Sequence, residues 1–145
     1  MKASPNCKFL RISSLPSADI FQVLSSSMSQ IYHTILSGFD DYTTDQRGDV
    51  GSWVRMAALR AVASISEALF LRKNDLASFE SYLPPDAWHS VIAGVLKQGV
   101  ERLDNVRAVA GEQLIALIWS ESIREGAVGQ WAIPGLEKLK TAFPQ

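Results

Sequence analysis

The chain has 145 residues, 47% of them apolar, with 14 Lys and Arg against 15 Asp and Glu. That mix supports one folded domain with a modest core and excludes wholesale disorder, and the near-zero balance gives no general electrostatic pull toward nucleic acid or an anionic membrane. A single cysteine, Cys7, excludes an internal disulfide and a cysteine-based metal cluster, and His33 and His89 are too few for a His-rich metal site. There is no run of apolar residues long enough to span a bilayer. The first eight residues lack the apolar core of a signal peptide, so a cytosolic protein is expected.

Residues 1–17 hold Pro5, Pro16 and four serines, and read as an irregular lead-in. A helical domain is expected over 18–145. Ile20, Leu24, Met28, Ile31 and Ile35 recur at steps of three and four, with Phe21 and Tyr32 beside them, which predicts a helix over 18–37. Ser17 is placed to cap it and Gly38 to stop it. Its other face is serine (Ser25, Ser26, Ser27, Ser29), and from Ile12 to Ser37 the only acidic or basic residue is Asp19. Two readings stay open for that face: a weakly charged surface, or a contact with something outside the chain.

Val50, Val54, Ala57, Ala58, Ala61, Val62, Ile65 and Leu69 predict a helix over 50–71, with Arg55, Arg60 and Glu67 on its polar face. A loop follows, with one helical turn possible around Phe79, until Pro84 and Pro85 open a helix over 85–102. Asp104 is placed to cap a helix over 105–122, and Pro134 to open a last one over 134–142. No segment sustains period-two alternation, so no sheet is expected.

Trp53-Val54-Arg55-Met56-Ala57 aligns with Asn105-Val106-Arg107-Ala108-Val109 at an offset of 52 residues. Apolar positions further along match as well, and each Val-Arg follows an aspartate, Asp49 or Asp104. Paired helices with an Asp and an Arg at fixed places are the pattern of HEAT or armadillo repeats, whose period is ~40–47 residues. The expected fold is therefore all-α, a HEAT- or armadillo-like solenoid fragment of antiparallel helix pairs. Such stacks need about three repeats and polar end caps. The last helix has no evident partner and the first no charged outer side, so the chain is expected to be part of something longer, and to self-associate through its uncapped ends.

The most distinctive stretch runs Asp40-Asp41-Tyr42-Thr43-Thr44-Asp45-Gln46-Arg47-Gly48-Asp49-Val50-Gly51-Ser52-Trp53-Val54-Arg55. It closely resembles a segment of the tubulin-folding cofactor D family, where a similar run joins two helices near the start of the C-terminal region. The resemblance implies a non-catalytic chaperone of the cytoplasm and microtubule cytoskeleton. It also implies β-tubulin as partner, with tubulin-folding cofactors C and E and an Arf-like small GTPase. Together these assemble or dismantle the αβ-tubulin heterodimer and stimulate GTP hydrolysis by tubulin. No cofactor is implied. A generic HEAT adaptor for other proteins is the alternative.

On their own chemistry these residues allow two readings. Thr43, Thr44 and Asp45 suit local turns, Gly48 and Gly51 permit tight backbone, and Asp45 or Asp49 can cap the following helix. The segment then locks one helix pair to the next. Alternatively, Asp40, Asp41, Tyr42, Thr43, Thr44, Asp45, Arg47, Gly48, Asp49, Trp53 and Arg55 form a contact surface for a basic partner. The aspartate spacing lacks the alternation and closing glutamate of an EF-hand. Trp53 and Trp119 are expected in the core, and Trp131 against a missing neighbour. His33 and His89 stand near no nucleophile motif, and no phosphate-binding glycine loop is present.

Overall fold

The computed structural model describes residues 17–145, with side chains from Ser25 onward. The expected lead-in with Cys7 lies outside the described residues, as do the side chains of Ser17, Asp19, Ile20, Phe21 and Leu24. Helix α1 spans Ser17–Ser37 and ends in a 3-10 turn, Gly38–Asp40. A two-residue hairpin follows, β1 Thr44–Asp45 and β2 Gly48–Asp49, then α2 Gly51–Leu71. A 3-10 turn at Lys73–Asp75 leads to α3 Phe79–Tyr82, α4 Pro85–Gln98 and α5 Asp104–Trp119. The chain closes with α6 Glu121–Gly126, a 3-10 turn at Gly129–Trp131 and α7 Leu136–Ala142.

Several elements depart from expectation. The antiparallel pair Thr44–Asp49 and Asp45–Gly48 is a small sheet where none was expected, because two residues per strand are too few to show alternation. The helix expected over 105–122 stops at Trp119, since Ser120 is extended (φ −58°, ψ 129°), and α6 starts afresh after it. Asp104 lies inside α5 and does not cap it by a side-chain bond. The last helix begins at Leu136, after Gly135 in the left-handed region.

Specific contacts fix the packing. Tyr32 of α1 meets Ser66 of α2 (3.0 Å between hydroxyl oxygens), while Gly38 lies against Ala58 and Val54. The two helices therefore run antiparallel. Residues 99–103 join α4 to α5, a connection short enough to make them antiparallel neighbours too. The Gln98 amide at the end of α4 donates to the Phe39 carbonyl just after α1 (2.9 Å), so α1 and α4 end together. Glu67 and Ser120, near the ends of α2 and α5, are joined at 3.1 Å. The result is two stacked antiparallel pairs, α1/α2 and α4/α5, with α2 and α5 parallel in one layer, as in a HEAT-like stack.

The repeat is one residue out of the register read from sequence. In burial pattern, Arg55, Ala58, Leu59, Ala63 and Ser66 of α2 correspond to Val106, Val109, Ala110, Leu114 and Leu117 of α5 at an offset of 51. One residue turns a helix by about 100°. Val54, matched by sequence to buried Val106, is instead 44% exposed. Arg55, matched to the exposed Arg107 and assigned to the polar face, is fully buried in the place Val106 takes in α5. The α1 stripe slips likewise: Tyr32 is buried and Ile31 is exposed.

At the other end of the stack the core is aromatic. Trp88 is fully buried, edge-on to Phe70 (ring centroids 4.9 Å apart), and Phe79 joins Phe70 to Trp131 at 5.2 and 5.4 Å. The Trp88 indole N–H donates to the Trp131 carbonyl (2.9 Å), and the Trp131 indole N–H to the Leu83 carbonyl (2.8 Å). Trp131, expected against a missing neighbour, is thus a partly buried clasp within the chain. Trp119 is only partly buried, and its indole N–H holds the Phe143 carbonyl at 2.9 Å, which docks α7 on α5. The last helix therefore has the partner it was expected to lack. Trp53, expected in the core, is 57% exposed, because it lies on the side of α2 turned away from α5. No described helix is long and apolar enough to cross a membrane.

Candidate functional site

The Asp40–Arg55 segment joins α1 to α2 at the end of the stack where α4 also finishes. Arg55, on the second turn of α2, is its hub. Its side chain is fully buried. One guanidinium nitrogen holds the Asp49 carboxylate at 2.8 Å. The other donates to the Asp41 carbonyl at 2.5 Å and approaches Asp49 at 3.3 Å. The Tyr42 ring covers the guanidinium, 4.3 Å from its carbon to the ring centroid. An arginine fork suits this place, since its planar donors satisfy a carboxylate and a carbonyl at once while its face stacks on an aromatic ring.

The turn around this hub is self-bonded. Asp41 accepts the Thr43 amide (3.0 Å) and Asp45 the Arg47 amide (2.7 Å). The Arg47 guanidinium closes back on Asp45 at 2.6 Å and lies 5.3 Å from the Trp53 ring. The backbone of Thr44 pairs with that of Asp49, and Gly48 takes φ 108° at the hairpin turn, a conformation few other residues adopt. The Thr43 carbonyl accepts the Gly51 amide (2.9 Å). A Cβ on Gly51 would lie 2.3 Å from the Asp41 carbonyl oxygen, so α2 can start this close only with glycine there. Asp49 accepts the Ser52 amide (2.9 Å), which makes it the cap expected for α2. Asp45 is not a cap.

The α4 end supplies partners that no sequence motif announced. Lys97 pairs with Asp40 at 2.6 Å, the Tyr42 hydroxyl donates to Glu101, and Gln98 bonds the Phe39 carbonyl. All eleven expected site residues therefore fall in one place. Of the four aspartates, three are bound within the turn and Asp40 is bound to Lys97. Residues 42–48 are exposed throughout, and the largest side chains turned to solvent here are Trp53, Tyr42 (46% exposed) and Arg47.

The electrostatics follow from these bonds. Contact with Thr43 lowers the Asp41 carboxyl below the usual range, Arg47 lowers Asp45, and Arg55 lowers Asp49. Asp49 in turn raises Arg55, and Asp40 raises Lys97. Ionised carboxylates held this way are acceptors, not the raised acids that proton donation at neutral pH needs. Because the folded state binds protons at Asp41, Asp45 and Asp49 less readily than the unfolded chain, their contribution is full above the unfolded value of about 3.9 and is lost as pH falls further. Urea midpoints are thus expected to hold from pH 7 to 5 and to drop below about pH 4, with a shallower drop in Asp49→Asn.

His33 is exposed on α1, and one ring nitrogen of His89 lies 3.3 Å from the Ala132 carbonyl. Among the described residues no three His, Cys, Asp or Glu side chains gather as a metal site. Away from the Arg55 junction, a cavity of about 560 Å³ lies between the end of α2 and α6, lined by Glu67, Lys73, Glu121 and Glu125 among others. Burial lowers the pKa of Lys73, one of the lining residues, and its ammonium donates to the Gly126 carbonyl at 2.5 Å.

The family described as "Tubulin folding cofactor D C terminal" matches residues 89–145, about two fifths of the chain and outside the Asp40–Arg55 segment. Tubulin-folding cofactor D of Schizosaccharomyces pombe is 30% identical over 90 residues, which is 62% of this chain and 7% of that protein. The chain thus spans a small fraction of the relative's length. No solved structure matches it. By these two matches, residues 89–145 are similar to the C-terminal region of the tubulin-folding cofactor D family, and 90 residues of the chain are similar to a short stretch of the fission-yeast cofactor.

Proposed function

We propose that this chain is a helical scaffold segment of a tubulin-folding chaperone. On this reading the whole protein binds β-tubulin and works with tubulin-folding cofactors C and E and an Arf-like small GTPase. It acts in the cytoplasm, at the microtubule cytoskeleton, where it assembles and dismantles the αβ-tubulin heterodimer. GTP hydrolysis belongs to tubulin, and the assembly stimulates it. The segment supplies shape and binding surface rather than catalytic groups. The observation that carries the proposal is the similarity to cofactor D.

The geometry supports a structural role for the Asp40–Arg55 turn inside that scaffold. Its aspartates are engaged within the chain, and they fasten α1, α2 and α4 at one junction. The test uses the longer polypeptide that carries this segment, immobilised and exposed to purified αβ-tubulin. Retention of tubulin is expected, together with faster GTP turnover when cofactors C and E are added. Failure to retain tubulin would contradict the chaperone reading and favour an adaptor for other proteins.

A further inference from the structure

Helix α2 presents a second face of small and apolar side chains. Val54, Ala57, Ala61, Ser64, Ala68 and Leu71 follow one another at alternating steps of three and four, the seam of a coiled coil. Val54 is 44% and Leu71 70% exposed, Ala57, Ser64 and Ala68 are exposed and Ala61 is half-buried. Ser64 is the one polar member, and a helical serine can turn its hydroxyl back onto the carbonyl four residues earlier, so it does not bar a close neighbour. Trp53 stands exposed at one end of the seam. This is not the polar outer face that ends a helical stack. Arg60 and Glu67 lie along one edge, each just before a seam alanine, and neither forms an ion pair among the described residues. Among the described residues the Glu67 carboxylate accepts only the Ser120 hydroxyl.

The spacing is self-complementary. A second α2, antiparallel and related by a two-fold axis between Val62 and Ala63, sets Val54 opposite the partner's Leu71. It sets Ala57 opposite the partner's Ala68, and Ala61 opposite the partner's Ser64. Arg60 then falls within about 3 Å, along the helix axis, of the partner's Glu67, and the symmetry makes this pair twice. A parallel neighbour of the same sequence would instead set Arg60 against the partner's Ile65, and the symmetric pair of Arg60–Glu67 contacts would be lost. Alanine and serine at the crossing let two helices approach to about 8 Å. We propose that α2 is the dimer interface of this chain, closed by a second copy in antiparallel orientation.

A single helix face is small beside a standard interface, so association in the micromolar range is expected. Sedimentation equilibrium from about 1 to 500 μM should show a monomer–dimer equilibrium. Arg60→Glu alone, or Glu67→Arg alone, places like charges at both pairs and should weaken it about tenfold. The double variant Arg60→Glu/Glu67→Arg restores opposite charges and should return to within about threefold of the original chain. Ala61→Glu at the centre of the seam should abolish dimers. Circular dichroism of each variant checks that the fold is kept, as these positions lie on the outer side of α2. A monomer at every concentration would overturn the proposal, as would dimers that persist in Ala61→Glu. A double variant no tighter than either single one would also do so. A face that stays monomeric and is protected only by tubulin, or by a helix of a longer polypeptide, likewise overturns it and assigns the face to another occupant.

Discussion

Replacing Arg55 with methionine is expected to destabilise the chain by about 3 kcal/mol and to lower its melting temperature by roughly 10 °C. Methionine keeps much of the apolar stem and its volume, so the change removes the guanidinium and little else. That group carries the bond to Asp49 at 2.8 Å, the bond to the Asp41 carbonyl at 2.5 Å, and the stack under Tyr42. Its loss leaves a carboxylate without its cation and a carbonyl without its donor. The side chain of Asp49 keeps 25% of its surface open to water, which places the cost at the low end of that for broken buried pairs. Thermal melts followed by far-ultraviolet circular dichroism measure it. An unchanged midpoint would mean that the guanidinium is not buried at this junction.

Trp88→Ala is the second large effect, about 4 kcal/mol. The indole is fully enclosed, touches Phe70 edge-on and holds the Trp131 carbonyl. Its removal empties the aromatic cluster and frees the 3-10 turn that Trp131 pins to Leu83. Against a total stability of order 10 kcal/mol, the variant should begin to unfold at far lower urea. Trp53→Ala, by contrast, should change stability by no more than about 0.5 kcal/mol, because that ring is mostly in water. Urea midpoints of the two variants decide the matter. A Trp53 variant weaker than the Trp88 variant would reverse the assignment of core and surface.

These two residues show what could be read from sequence and what could not. The existence of α1, α2, α4 and α5 followed from apolar spacing, since each helix must bury one stripe. The phase within α2 did not, because that helix is apolar on two sides. Val54, Ala57 and Ala61 fit a buried stripe as well as Leu59, Val62 and Ala63 do, and only the position of α5 chooses between them. The choice went wrong at Arg55 for a physical reason. A charged residue is normally solvated, and its burial here depends on Asp49, Asp41 and Tyr42 arriving from a turn whose path the spacing alone does not determine. Once Arg55 is buried, the register of the repeat moves by one residue and Trp53 rotates outward.

The turn itself was legible in part. Asp49 as a cap and the local bonds of Asp45 follow from the habits of short polar side chains beside glycine. Lys97, Gln98 and Glu101 were not legible as partners, because nothing in a helix sequence marks which residues will meet a loop 55 to 60 positions away. The hairpin at Thr44–Asp49 was too short to leave a pattern. At the other end, Trp131 precedes a short, weakly patterned segment that shows no partner for it in sequence, yet Lys73, Phe79 and Leu83 all contact it.

The central claim is that Arg55 and Asp49 act as one lock at the junction of α1, α2 and α4. A double-variant cycle tests it most directly, with Arg55→Met, Asp49→Asn and both together measured by thermal melting at pH 7. If the lock is real, the double variant should melt within about 2 °C of Arg55→Met, because the second change removes a partner already lost. Losses that simply add would show that the two residues stabilise the chain independently, and would contradict the account.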